Sequence, residues 1–418
     1  MLTKENDIKN NSKNNLPENL PEEDNVTEVE NFEKRKISGI KGSKHRREKK
    51  KSRGNILKYI IIILLMLGIL YFAMSVFFSH GSNVTTGSTV KQIELENTES
   101  YAFEVFGKNI VLCNSNGITA FDKNGNEKWN IETAMYNPFI DVSGDNMLIT
   151  DSARSSAVVV SKNGKVKTNI DFGAECIAAS VNKSGWTTAI ISRKGYKACV
   201  SVFDSEGKLK YSWESASNDV ISAKLAEDNK TLAVALLDSS SSFEANGMIS
   251  LFDITTEGKP FSGTNTENNV VTYIRWSGKQ LVCVGNKETF KIDSTGKKIW
   301  SYDYPGEIIM YNAESDNVFV FAINSNTTTS SKSALVYTVN DDGKELGKCE
   351  ITGEIKNLKV SGSNISAITS DKIFKLKKNA SIKSECSLNR DVSKGYILDD
   401  GAAYLVVSGS SAEFLSLK

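Results

Sequence analysis

The sequence predicts an all-β fold: an eight-bladed β-propeller, with seven blades as the alternative count, preceded by a disordered tail and one transmembrane helix. Three observations carry this reading. They are a hairpin unit repeated through the last three quarters of the chain, a charge-free apolar run from Tyr59 to Phe78, and a polar, finally basic, segment ahead of that run.

The tail comes first. Residues 1–33 are rich in Asn, Glu, Pro and Lys and hold one aromatic, Phe32, too little apolar surface to offset chain entropy. From Lys34 to Lys58 twelve Lys and Arg face a single acid, Glu48. Such a run sets topology and attracts anionic lipid at about 1 kcal/mol per cation. No aromatics are interleaved for base stacking, which argues against a nucleic-acid partner. Over the whole chain 51 Lys and Arg balance 50 Asp and Glu, so no global field marks a nucleic-acid binder either.

The apolar run YIIIILLMLGILYFAMSVFF fills positions 59–78, and about 20 such residues cross a hydrocarbon core as a helix. It lacks the polar face of an amphipathic core helix. Ser79-His80-Gly81-Ser82 offers no good Ala-x-Ala cleavage site and no lipobox cysteine is present, so an uncleaved signal anchor is expected. The cations before the helix keep the N-terminus cytoplasmic and put the rest of the chain outside the cell membrane. The expected organisation is a disordered tail over 1–54, the helix over 55–78, a linker over 79–89 and a propeller over 90–418.

Beyond Val90, short runs of Val, Ile, Phe and Ala are broken by Gly, Asn, Asp and Ser, an all-β signature. One unit recurs as AFDKNGNEKWN (120–130), VVSKNGKVKTN (159–169), VFDSEGKLKYS (202–212), LFDITTEGKPF (251–261), KIDSTGKKIWS (291–301) and TVNDDGKELG (338–347), with a degenerate KLKKNASIKS at 375–384. Its turn glycines, Gly125, Gly164, Gly207, Gly258, Gly296 and Gly343, lie 39, 43, 51, 38 and 47 residues apart. Propeller blades repeat at about 40 to 50 residues with four strands each. Unit starts fall near Tyr101, Asn137, Cys176, Val220, Val270, Ile308, Ile355 and Tyr396. The last unit has only three strands, and the orphan strand Val90 to Glu96 is expected to supply its fourth and close the ring, removing an exposed edge.

Two units, from Asp122 to Trp129 and from Asp293 to Trp300, carry Asp-x-x-Gly-x-x-x-Trp and resemble the quinoprotein-like (PQQ-like) propeller repeat, a family commonly of eight blades. The layout of tail, helix and propeller also resembles membrane-anchored propeller proteins of low-GC Gram-positive bacteria. The first resemblance would imply quinone-dependent dehydrogenation, but no vicinal cysteine pair supports it, and no cofactor is expected.

Chemistry is sparse. The two histidines, His45 and His80, precede the propeller, which excludes histidine-based nucleophilic catalysis and histidine metal sites within it. Asp122-Lys123-Asn124-Gly125 is only a fragment of a calcium loop, so no metal site is expected. Arg154, Arg193, Arg275 and Arg390 are not expected to converge. The six cysteines sit singly in strand-like runs and read as buried thiols, with disulfides as the lesser reading. Trp129, Trp186, Trp213, Trp276 and Trp300 read as packing residues. The inner strands, among them IDVSG (140–144), ISAKLA (221–226) and IIMYN (308–312), read as mostly apolar and small, unlike a catalytic funnel.

Two polar insertions, between Asp238 and Gly247 and between Asn324 and Ser333, stand out in length. Long loops on a rigid scaffold are functional or slack. Phe243, Asn246, Asn326 and Thr328 are therefore the candidate binding residues, on the face that joins successive blades. The expected function is a non-enzymatic binding or scaffolding module at the cell envelope, with a protein or cell-wall glycan partner. A glycan-acting enzyme using funnel carboxylates and a transmembrane sensor are the rivals.

Overall fold

The computed structural model describes residues 62–69, 83–84, 87–95, 100–152, 154–238, 245–256, 258–325 and 332–417. The chain divides into two units, Met1–Phe72 and Ala73–Lys418. In the first, residues 62–69 are α-helical with exposed side chains. The rest of the expected tail and helix, together with Phe243, Asn326 and Thr328, lies outside the described residues. No helix among the described residues is long and apolar enough to cross a membrane.

The second unit is a ring of eight four-stranded antiparallel sheets. The inner strands are Ala102–Phe106, Pro138–Ser143, Cys176–Val181, Asp219–Leu225, Val271–Ser277, Ile308–Asn312, Ile355–Ser361 and Lys394–Leu398, for blades 1 to 8 in order. Each starts within two residues of its expected position. Blades 1 to 7 run inner to outer along the chain. Blade 8 takes its outer strand from Gly87–Glu94, which pairs antiparallel with Ser411–Leu417. The expected seam is thus present, three residues earlier than read at its start. Asn83–Val84 adds a short parallel pairing to the outer edge of blade 7, beside Ser384 and Glu385.

Each interface between neighbouring blades holds its own apolar cluster. Ile110 and Phe103 of blade 1 meet Leu405 and Phe414 of blade 8 across the seam, while Val200 of blade 3 meets Val234 and Phe252 of blade 4. A fully buried side chain of this size contributes roughly 1.5–3 kcal/mol, so the strand alternation read from sequence becomes ring cohesion. All six cysteines are thiols, five of them buried and Cys349 half-buried.

The repeated turn explains the Asp-x-x-Gly spacing. The carboxylate of Asp122 accepts the N–H of Asn124 at 2.9 Å and of Asn126 at 3.0 Å; Asp204, Asp293 and Asn340 do the same in their own turns. The side chain takes over the backbone donors that the turn leaves free. The glycine then presses against the previous blade. A Cβ on Gly164, at φ +76°, would meet the Trp129 ring at 2.6 Å, and Trp129 donates its indole N–H to Lys162 O at 3.0 Å. Gly343 and Trp300 repeat the contact between blades 5 and 6.

Candidate functional site

The inner strands run side by side, so the ends that lead into their first hairpins gather around the axis. In four blades one charged residue stands two places before the residue that closes this hairpin. Glu104 precedes Phe106, Asp141 precedes Ser143, Arg275 precedes Ser277 and Lys359 precedes Ser361, where Phe106, Ser143, Ser277 and Ser361 pair with Asn109, Asn146, Gln280 and Asn364. Lys224 precedes Ala226, whose N–H closes the blade 4 hairpin on Thr231 O. These side chains line one cavity of about 430 Å³ at the mouth of the funnel, with Tyr273 and the hairpin residues Glu314 and Asp316. A cavity of this size suits a small ligand.

Sequence reasoning missed this site. Strands such as IDVSG and ISAKLA each hold one charge among apolar and small residues, and only ring closure brings those charges together. The reading of an apolar funnel is therefore corrected. The signal was present as one ionisable residue at a fixed distance before the first hairpin of several units.

Most funnel charges are already engaged. Lys224 Nζ lies 2.7 Å from Asp141 Oδ1, and the other Asp141 oxygen accepts the Val181 N–H at 2.8 Å. Arg275 donates to Asp316 at 2.8 Å, to Ala313 O at 2.7 Å and to Ser315 O at 3.2 Å. Ser277 adds a 2.7 Å bond to Asp316. Burial opposes ionisation of Asp316, but the Ser277 and Arg275 bonds hold its carboxyl below the usual range. Trp276, read as packing, both packs against the cluster between blades 4 and 5 and lines the cavity, donating to Lys224 O at 3.0 Å.

Four charges differ. Among the described residues no ion pair or side-chain hydrogen bond engages Glu314, Lys359 or the ammonium of Lys183 at the cavity rim, and Glu104 accepts only the N–H of its neighbour Val105, at 2.9 Å. Burial pushes the Glu104 carboxyl up to about 7, with Glu314 and Asp141 raising it further while Val105 N–H and Lys359 pull it down. Burial likewise raises the phenols of Tyr273 and Tyr396, the former helped by Glu314 and the latter by Glu104.

The strands that flank the candidate loops run to the other end of the blades. Thr231–Asp238 leads away from the funnel hairpin, and Asp238 pairs with Asn246 where the first insertion begins and ends. Asn246 accepts the Asn268 N–H at 3.1 Å and so braces the turn between two blades. The remaining arginines do not join Arg275: Arg154 faces Asp151, Arg193 faces Glu214 and Arg390 faces Glu413.

The C-terminal WD40 domain of Sif2 is similar in structure, with a TM-score of 0.58 at 10% identity over 80% of this chain and 99% of that one. BamB from Moraxella catarrhalis matches with a TM-score of 0.49 at 12% identity, over 79% of this chain and 100% of that one. AztD from Citrobacter koseri matches at 0.44 and 9%, over 70% of this chain and 87% of that one. No curated protein matches the chain. At such identities the Sif2 likeness describes the fold alone. Of the resemblance drawn from the repeats, the propeller architecture stands, and residues 81–417 match DUF5711: the chain belongs to this family of unknown function.

Proposed function

We propose that this protein is a membrane-anchored, non-enzymatic binding module of the cell envelope whose propeller takes its ligand at the mouth of the funnel. The observation that carries the binding site is the convergence of charged side chains from the inner strands and first hairpins of blades 1 to 7 on one cavity. Clefts that gather ionisable groups with perturbed pKa values on a rigid scaffold are the places where proteins bind ligands. The anchoring rests on the apolar run and the cations before it. It predicts that protease added to wall-stripped cells degrades the propeller and spares a tail epitope; a protected propeller overturns it. For the site, a photo-crosslinking side chain is placed at Ser143, on the cavity wall, or at Asn246, in the full-length protein in cells. Covalent adducts at Ser143 support the reading, and their absence there with adducts at Asn246 moves the site to the opposite face.

One observation favours the glycan-acting rival. A carboxyl at about 7 beside other carboxylates is what a general acid needs. Release of new reducing ends from cell-wall glycan, lost in Glu104→Gln, would establish that activity.

A further inference from the structure

We infer that the funnel mouth selects the ammonium group of a small organic amine, held by Glu104 and Glu314. This rests on the funnel being a binding site and adds the class of ligand. The cavity wall carries five carboxylates, Glu104, Asp141, Glu227, Glu314 and Asp316, against four cations, Lys183, Lys224, Arg275 and Lys359. With every carboxyl ionised, one negative charge is in excess over the cations of the wall.

The pairing pattern says where that excess sits. Asp141 is held by Lys224, and Asp316 by Arg275 and Ser277. Glu227, exposed at the rim, accepts the backbone N–H of Lys183, and the exposed Lys183 ammonium balances its charge there through solvent without a direct ion pair among the described residues. Glu104 and Glu314 are left to share Lys359, and one cation cannot neutralise two carboxylates. An incoming ammonium completes the balance, with its N–H donors satisfied by carboxylate oxygens. An anion has the ammonium groups of Lys359 and, at the rim, Lys183 to meet, but Glu104, Glu314 and Glu227 to repel it. A metal ion is a poorer fit, because among the described residues no three acidic, histidine or cysteine side chains converge on one point.

The same geometry ties binding to pH. The groups that act on Glu104 come from four other blades: Asp141 on blade 2, Glu314 on blade 6, Lys359 on blade 7 and Tyr396 on blade 8. At neutral pH the Glu104 carboxyl holds a proton about half the time. An ammonium bound beside it favours the carboxylate, so binding releases that proton. With a free-state value near 7, apparent affinity rises about tenfold from pH 6 to pH 8.

The test uses three probes of equal chain length, n-butylamine, 4-aminobutanoate and butanoate, titrated calorimetrically into the full-length protein in detergent. We expect n-butylamine to bind about tenfold more tightly at pH 8 than at pH 6, with proton release read from two buffers of different ionisation heat. Glu104→Gln should weaken binding and flatten the pH dependence. Lys359→Met removes the competing cation and should tighten n-butylamine, a gain that misfolding cannot produce. Binding of butanoate in preference to n-butylamine, or weaker amine binding by Lys359→Met, overturns the amine assignment while leaving the funnel as a site. No binding by any probe also overturns it, whereas the funnel reading itself stands or falls on the Ser143 crosslink.

Discussion

Asp141 of blade 2 and Lys224 of blade 4 form a 2.7 Å ion pair that steps over blade 3, while the second Asp141 oxygen holds the Val181 N–H of that intervening blade. One side chain thus ties three consecutive blades at the funnel wall. The link is partly buried at both ends, where loss of a hydrogen-bonded charge costs about 1–3 kcal/mol. Asp141→Ala, which removes both bonds, should destabilise by that amount in denaturant unfolding. Asp141→Asn keeps an acceptor for Val181 and should cost less. Equal midpoints for the parent and Asp141→Ala would show that the funnel wall does not need the tie.

Glu104 makes a separate prediction about pH. Its folded value of about 7 lies above the ordinary 4.5, so the native state holds this proton more tightly than the unfolded chain. Stability from this group is therefore fullest below 4.5 and falls as pH rises towards 7. At about 1.4 kcal/mol per unit the loss is at most about 3 kcal/mol. Glu104→Gln carries no charge and escapes it. The variant should melt above the parent at pH 8, with the gap closing towards pH 4.5. A difference in Tm that does not change with pH would contradict the burial of this carboxyl.

Contact between Trp129 and Gly164 supplies a third test, because the glycine there is needed twice. Its φ of +76° disfavours any side chain, and a Cβ would sit 2.6 Å from the indole. Gly173 has a similar φ of +68° but open space around it. Gly173→Ala should cost about 1 kcal/mol from backbone strain alone, and Gly164→Ala clearly more, since the ring must also move. Combining Gly164→Ala with Trp129→Ala should recover part of the excess. If the two alanine variants unfold at the same denaturant concentration, the tryptophan is not locking the blades.

How much of this was legible follows from what periodicity records. Alternating apolar runs and glycine turns fix hairpins, and hairpins recurring every 38 to 51 residues fix blades, so the strand starts and the seam at Gly87–Glu94 were close to readable. Trp129 and Trp300 were readable as packing residues because their spacing to the turn is constant. The funnel was not, because Glu104, Lys224 and Lys359 are far apart in sequence and meet only through the ring. Each looks alone like an ordinary inner-strand polar residue. Conversely, the long Ser-rich insertions drew notice through length, a property that carries no chemistry.

The final prediction separates the two faces. The first hairpin of blade 4 starts its second strand at Thr231, and the insertion begins after Asp238 at the far end of that strand, roughly 20 Å away at the usual rise per residue. Shortening both insertions, by deleting residues 239–244 and 326–331, should leave n-butylamine affinity and its pH dependence unchanged. Stability should change little, because loop length costs only about 0.6 kcal/mol per doubling. Asn246 is kept, since it braces the turn at Asn268. If the shortened protein instead loses amine binding while its melting temperature holds, Phe243 and Thr328 regain their place as candidates and the ligand reaches the loop face. If it binds as the parent does, the charged end of the funnel is the working surface, and Lys359→Met in that shortened background should still tighten the amine.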